Sequence, residues 1–352
     1  MAKTPQYAPQ ANQIVCALTE PALLLDGNGR VAIANDAAHE WFGVWIDGQS
    51  YISVLRQPDL LAPVEDAFAH QKTGVARFSH SSGAVETLFD VTVSPLTEVG
   101  DRTAVLLVFR DVSGLRQEES MRRDFVANVS HELKTPLTAV MGFIETLQGP
   151  ARRDPKAQDR FLNLMAQETS RMNRLVSDLL ALSRLEGLRR KRPTERVDLV
   201  TILSETIDTL RAQAEAAGVA LLFEAPAEAI VPGDPDQVMQ IALNLVENAV
   251  KYGGRPGSVQ VTLARIAREP VLRVPAWVLT VTDDGPGIPP EHLPRLTERF
   301  YRVDTGRSRE QGGTGLGLAI VKHIVNRHRG RLRIDSREGR GTTVAVTFPA
   351  EA

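Results

Sequence analysis

The spacing of hydrophobic positions changes along the chain, and each change predicts a different kind of structure. From Ile14 the apolar residues come in short runs. Ala22 to Leu25 is wholly apolar, Asp26-Gly27-Asn28-Gly29 is a turn string, and Arg30 to Ala34 returns. That order predicts a β-hairpin. Asn35 to Phe42 reads as a short helix, while Val85 to Ser94 and Arg102 to Arg110 alternate apolar and polar as strands do. Residues 13–110 are therefore expected to form an α+β sheet domain, after a polar and disordered stretch over residues 1–12.

A helical period follows. Residues 111–124 are highly charged and contain no proline, which predicts a connecting helix. Its charges make a solvated face or, in a dimer, flank a coiled-coil seam. Phe125, Val126, Val129 and Leu133 make an apolar stripe, and Pro136 is expected to bend the helix just past His131. Gln148-Gly149-Pro150 ends this helix and Asp154-Pro155 starts another. The second helix carries Phe161, Met165, Glu168, Met172, Leu175, Leu179, Leu182 and Glu186. Alternating steps of four and three are the seam of a left-handed helical hairpin. Two helices alone bury too little, so residues 125–187 predict a symmetric homodimer forming an antiparallel four-helix bundle. A basic linker, residues 188–196, leads to a C-terminal domain over 197–350. Helices are predicted there over Asp198 to Gly218, Gln237 to Tyr252 and Leu316 to His328. Strands are predicted over Val219 to Glu224, Val259 to Arg265, Val278 to Thr282, Arg331 to Ser336 and Thr342 to Phe348. The fold class is multidomain α+β, ending in an α/β sandwich.

Composition narrows the function. Of 352 residues, 43% are apolar and 24% charged, which is ordinary for a soluble chain. A net charge of −2 argues against a nucleic-acid surface. The single cysteine, Cys16, excludes an intrachain disulfide framework and a cysteine-rich zinc site. No apolar run approaches the ~20 residues that span a bilayer. The first ten residues have no signal-peptide pattern. Any membrane attachment would come through a segment outside this chain. The expected location is the cytoplasm, or the inner face of the cell membrane if such an anchor exists.

Candidate chemistry lies in four places. His131 falls off the apolar stripe with Glu132 beside it, so it reads either as a surface histidine or as a nucleophilic imidazole with a proton partner. In NLVENAVKY, steps of four put Asn244, Asn248 and Tyr252 on one helical face, with Lys251 adjacent. Neutral amides there read either as a solvated or core hydrogen-bonded pair or as ligands for a magnesium ion, Asn248 being the candidate ligand, and Lys251 is a point charge for phosphate. Asp283 opens DDGPG after a strand; its carboxylate can accept from an adenine amine, while Gly285 and Gly287 let backbone approach the base. Gly312, Gly313, Thr314, Gly315, Leu316 and Gly317 open a helix and present N–H groups to phosphate.

SHELKTPLT at Ser130 to Thr138 resembles the phospho-acceptor box of sensor histidine kinases. The three later motifs, in their order, resemble the N, G1 and G2 boxes of the GHKL ATP-binding fold. ALLLDGNGRVAIANDAA resembles the opening of a PAS sensor domain, read either as a signal pocket or as a filled relay module. The resemblance implies that ATP and Mg2+ bind the C-terminal domain and that His131 takes the γ-phosphoryl. It implies that Glu132 is the acid/base partner and that Thr135 orients water when a response regulator is dephosphorylated. It also implies a lid over LTERFYRVDTGRSREQGG, with Phe300 and Tyr301 as anchors and Arg302, Arg307 and Arg309 on phosphate. Thr297 departs from the pattern, standing where many kinases have a second phenylalanine. That stretch nevertheless resembles the phosphate-regulon (PhoR type) sensor kinases, which implies a PhoB-type regulator as partner. The rival readings are a GHKL-fold ATPase clamp, whose gyrase-type members carry a glutamate base where this chain has Asn244, and a non-enzymatic scaffold.

Overall fold

The computed structural model describes residues 9–82, 85–97, 103–187, 192–254, 256–303 and 313–350. The chain divides into two compact units, residues 1–126 and 127–352.

The first unit is built on one antiparallel sheet of order β2-β1-β5-β4-β3, consistent with a PAS-like domain. Its strands are β1 (Ala22–Leu25), β2 (Val31–Ala34), β3 (Gly74–Ser82), β4 (Val85–Thr97) and β5 (Thr103–Asp111). All four residues of β1 are buried, because the strand is central and covered on both faces. The turn after it is held by Asp26, whose carboxylate accepts the N–H groups of Asn28 and Arg30 at 2.8 and 2.9 Å. Asn35 caps α2 (Asp36–Phe42) by accepting from Ala38 N, and ties the cap to β1 by accepting from Ala22 N. With α3 (Tyr51–Leu55) and α4 (Pro58–His70), α2 covers one face around Phe42, Phe78, Phe89 and Phe109. The other face carries α1 (Pro9–Ala17), whose Val15 packs with Ala22, Leu24 and Ala104. Residues 9–12 are thus helical rather than disordered; residues 1–8 lie outside the described set.

The long helix α5 (Ser113–Gln148) includes the predicted connector and runs on without interruption past Pro136. Pro136 is buried, so packing retains the helix although the Glu132 carbonyl loses its N–H partner. With α6 (Pro155–Gly187) it makes the predicted hairpin. Leu175 and Leu182 are buried at the seam, and Phe143 meets Phe161 with ring centroids 5.6 Å apart. The Glu186 side chain lies outside the described set. A second apolar stripe faces outward: Leu137, Met141 and Ile144 on α5, and Leu162, Val176 and Leu180 on α6, are exposed.

The C-terminal sandwich has a five-stranded sheet of order β11-β12-β10-β9-β7. Its strands are β7 (Val219–Glu224), β9 (Gly257–Ile266), β10 (Ala276–Asp283), β11 (Arg331–Ser336) and β12 (Thr342–Pro349). The β7–β9 pair is parallel and the rest antiparallel. A separate pair joins β6 (Glu195–Asp198) to β8 (Ile230–Gly233), so the end of the expected linker is a strand. Residues 188–191 of that linker lie outside the described set. The helices α7 (Leu199–Ala216), α8 (Pro235–Tyr252) and α9 (Gly317–Arg327) each bury one apolar stripe. No described helix is long and apolar enough to cross a membrane.

His328 shows how the sandwich is closed. Its Nε2 accepts from Asp234 N at 3.2 Å, where α8 begins, and its Nδ1 meets the Ile324 carbonyl at 2.8 Å. An N–H donor on one side and a carbonyl on the other require the neutral tautomer with the proton on Nδ1. Burial pushes its pKa below the ordinary value of 6.5. A lowered histidine pKa means the unfolded chain binds the proton first, so stability falls as pH drops below the unfolded pKa of ~6.5. Between pH 7 and 5, the wild-type melting temperature should fall more steeply than that of His328→Gln. Parallel curves for the two proteins would contradict the assignment.

Candidate active site

The predicted nucleotide residues converge on one cavity of ≈ 730 Å³. The helix α8 supplies one wall because its two faces differ. Val238, Ile241, Ala242 and Val246 go to the core, which leaves Asn244, Asn248, Lys251 and Tyr252 on the cavity. Among the described residues the Asn244 Nδ2 is buried without a hydrogen-bond partner, a donor that a bound ligand would satisfy. Burial pushes Lys251 below its ordinary pKa, with Glu247 3.6 Å away pulling the other way.

The second wall is Asp283, at the end of β10. Its Oδ1 accepts from Gly285 N at 3.0 Å and Thr342 N at 3.2 Å. Burial pushes its carboxyl above the usual range against those two bonds. Asp284 points elsewhere and accepts from the Ser258 N–H and hydroxyl, which hold its pKa low. Gly287 borders the cavity; Gly285 does not. What Gly285 permits is an approach of chain to chain, since a Cβ there would lie 2.5 Å from the Tyr252 carbonyl.

The third wall is the loop opening α9. Gly313, Thr314, Gly315 and Gly317 border the cavity, while Leu316 is fully buried behind them. Gly315 has φ +71 and packs on the Phe300 backbone, whose N–H donates to the Gly315 carbonyl at 2.8 Å. A Cβ on Gly317 would lie 2.9 Å from Asn244 Oδ1, so this glycine lets the loop meet α8. Gly312, Arg307 and Arg309 lie outside the described residues. Tyr301, expected as an anchor of the lid, hydrogen-bonds His292 Nδ1 at 2.6 Å and lies under the Arg295 guanidinium. The Thr297 hydroxyl accepts from Lys322 of α9 at 3.1 Å, a polar contact where a phenylalanine would pack.

The phospho-acceptor box meets this site through charge. His131 is exposed on α5. The Glu132 carboxylate accepts from Arg302 Nη2 at 2.9 Å and from Arg171 Nη2 of α6 at 3.1 Å. Arg302 borders the cavity, but its guanidinium is on Glu132. The Thr135 hydroxyl donates to the His131 carbonyl at 3.1 Å. Two further cavity residues, Arg174 and Asp178, come from α6. Sequence reading missed both, because polar positions beside a heptad seam look like a solvated face. His328, with both ring nitrogens engaged, is no rival acceptor.

Comparison with known proteins places two regions of the chain in families. Residues 233–352 match the family of histidine kinase-, DNA gyrase B- and HSP90-like ATPases, and residues 121–188 match the His Kinase A (phospho-acceptor) domain. The chain is 33% identical to the sensor protein kinase WalK of Staphylococcus aureus (strain Newman) over 99% of its own length and 57% of that protein's. It therefore spans little more than half of that relative. Against a WalK of Staphylococcus aureus it is 32% identical, over 99% of this chain and 83% of the other. These relatives carry the WalK name, not the phosphate-regulon name that the lid stretch suggests. A crystal structure of the histidine kinase ThkA with the response regulator protein TrrA shares the fold, with a TM-score of 0.53 and 21% identity over 96% of this chain and 98% of that one.

Gly315→Ala tests the glycine-loop geometry. The new Cβ would lie 2.9 Å from Phe300 Cα, in a left-handed backbone that disfavours it. The melting temperature of the C-terminal unit should fall, reflecting on the order of 1–2 kcal/mol. An unchanged value would mean the loop is not held against Phe300.

Proposed function

This chain belongs to the sensor histidine kinase family, and from that premise we propose that it transfers the γ-phosphoryl of ATP to His131 and then to an aspartate of a response regulator. The observation that carries this reading is the convergence of Asn244, Asn248, Lys251, Asp283 and the glycine loop on one cavity. Asp283 accepts from the adenine amine, as an anchored carboxylate can. N–H groups of the loop and the start of α9 receive phosphate oxygens. Transfer breaks the bond between the γ-phosphorus and the ADP oxygen, whose electron pair leaves with ADP. A lone pair on a ring nitrogen of His131 forms the new N–P bond.

The described residues contain no cluster of three His, Cys, Asp or Glu that would hold a metal alone. The donor set on α8 is amide oxygen, which suits Mg2+ shared with phosphate oxygens, so Asn248 would hold it. When bound, the ion would offset charge on the transferred group.

Glu132 manages the other ring N–H of His131. In the present arrangement its carboxylate is bound by Arg171 and Arg302, so the reaction requires Arg302 to leave it, a step suited to a residue at the base of a lid. Thr135 serves the reverse activity by orienting water once its hydroxyl turns from the His131 carbonyl. The outward stripe of Leu137, Met141, Ile144, Leu162, Val176 and Leu180 supports homodimerisation through the hairpin. Phosphate-limitation signalling through a PhoB-type regulator is a narrower reading. Only the lid stretch supports it, and a transfer profile across purified regulators decides it.

Incubation with γ-labelled ATP should give acid-labile label on the wild type and none on His131→Gln, with ATP binding retained. Free phosphate without protein label would favour an ATPase instead. Glu132→Ala should cut labelling by ~10²–10⁴-fold. Thr135→Ala should keep labelling and slow dephosphorylation of the regulator; equal dephosphorylation rates would remove Thr135 from that role.

A further inference from the structure

The second hairpin helix brings charge to the cavity that the phosphoryl transfer does not use. Asp178 Oδ2 accepts from the Thr314 hydroxyl at 2.7 Å. The same hydroxyl accepts from Leu316 N at 3.3 Å. Its single proton is thus committed to α6, and a lone pair is committed to the loop. Thr314 and Leu316 are both buried, at 8% and 0% exposure. The centre of the glycine loop is therefore fastened to the hairpin through a carboxylate.

That carboxylate is badly placed for a polyanion. The opening of α9 favours negative charge through its free N–H groups and helix field. Asp178 puts a carboxylate on Thr314 of this loop and borders the same cavity. Arg174, one turn earlier on α6, also borders the cavity; burial raises the Asp178 pKa above the usual carboxylate range, with the Thr314 hydroxyl and then Arg174 pulling the other way. Across the cavity Glu247 and Lys251 pair with one another. Asp178 and a triphosphate therefore compete for Arg174 and for the field of the loop.

We propose that Asp178 is an electrostatic gate on nucleotide binding: docked on Thr314, it holds the hairpin to the glycine loop and repels the phosphates of the incoming nucleotide. Loading with triphosphate and docking of α6 on the loop then oppose each other. Such a coupling is reciprocal, so the nucleotide weakens docking as much as docking weakens nucleotide binding. The inference rests on the nucleotide reading of the cavity.

The test uses the full chain, the non-hydrolysable analogue β,γ-imido-ATP, and adenosine as the ligand without phosphates. Asp178→Asn retains an oxygen for the Thr314 hydroxyl and removes the charge. Affinity for imido-ATP should rise on the order of tenfold, adenosine affinity should stay constant, and the gain should shrink with added salt. Arg174→Gln should change imido-ATP affinity in the opposite direction. Hydrogen exchange on the wild type needs no variant: imido-ATP should speed exchange around residues 174–182, and adenosine should not. Equal imido-ATP affinities for wild type and Asp178→Asn, a matching change for adenosine, or slower exchange in α6 with imido-ATP would each overturn the gate alone. Failure of the wild type to bind imido-ATP would overturn the nucleotide reading and the gate with it.

Discussion

The site depends on a carboxylate shared by two arginines. Glu132 belongs to the phospho-acceptor helix, Arg171 to its hairpin partner and Arg302 to the base of the lid. All three side chains are largely buried, at 13%, 13% and 6% exposure. Removing one partner from a buried ion pair leaves an uncompensated charge and typically costs ~3–5 kcal/mol. The arrangement therefore persists until another charge replaces the one that leaves. In the proposed function, phosphate oxygens would take Arg302 and leave Glu132 to Arg171 and the imidazole beside it. One guanidinium would then tie the state of the acceptor box to the contents of the nucleotide cavity.

This constraint explains why hairpin and sandwich form one compact unit although their sequences read as separate domains. The sandwich needs no help to bury its helices. The hairpin does, because an apolar stripe of Leu137, Met141, Ile144, Leu162, Val176 and Leu180 faces outward. Contacts from Glu132 and Asp178 use polar positions between the apolar stripes. The hairpin can thus hold the catalytic domain without spending the surface that a second copy would cover.

Much of this was legible locally. The four-three spacing on α6 and the four-residue steps on α8 each act within a few positions, and those elements appear where the pattern predicts them. Of the missed elements, α4 does carry a helical period at Leu60, Val64 and Ala67, whereas the missed strands do not show one of their own. The strand β3 reads GVARFSHSS, mostly polar, and is held by its register with β4. The strands β6 and β8 are too short to show a pattern. The approach of Gly285 to the Tyr252 carbonyl is likewise set by the fold and by no local pattern. Asp178–Thr314 and Glu132–Arg302 join residues 136 and 170 positions apart, and no local pattern encodes contacts set by docking of one domain on another.

The central claim is that a nitrogen of His131 receives the phosphoryl group of a nucleotide bound between α8, Asp283 and the glycine loop. The most direct measurement is phosphorus NMR, with peptide mapping under neutral conditions, on the full chain after incubation with ATP and magnesium. A phosphoramidate resonance, with the added mass on the peptide carrying residue 131, is the result this account predicts. A phosphate ester on a serine or threonine, or a phosphoramidate that maps to another histidine, would contradict it.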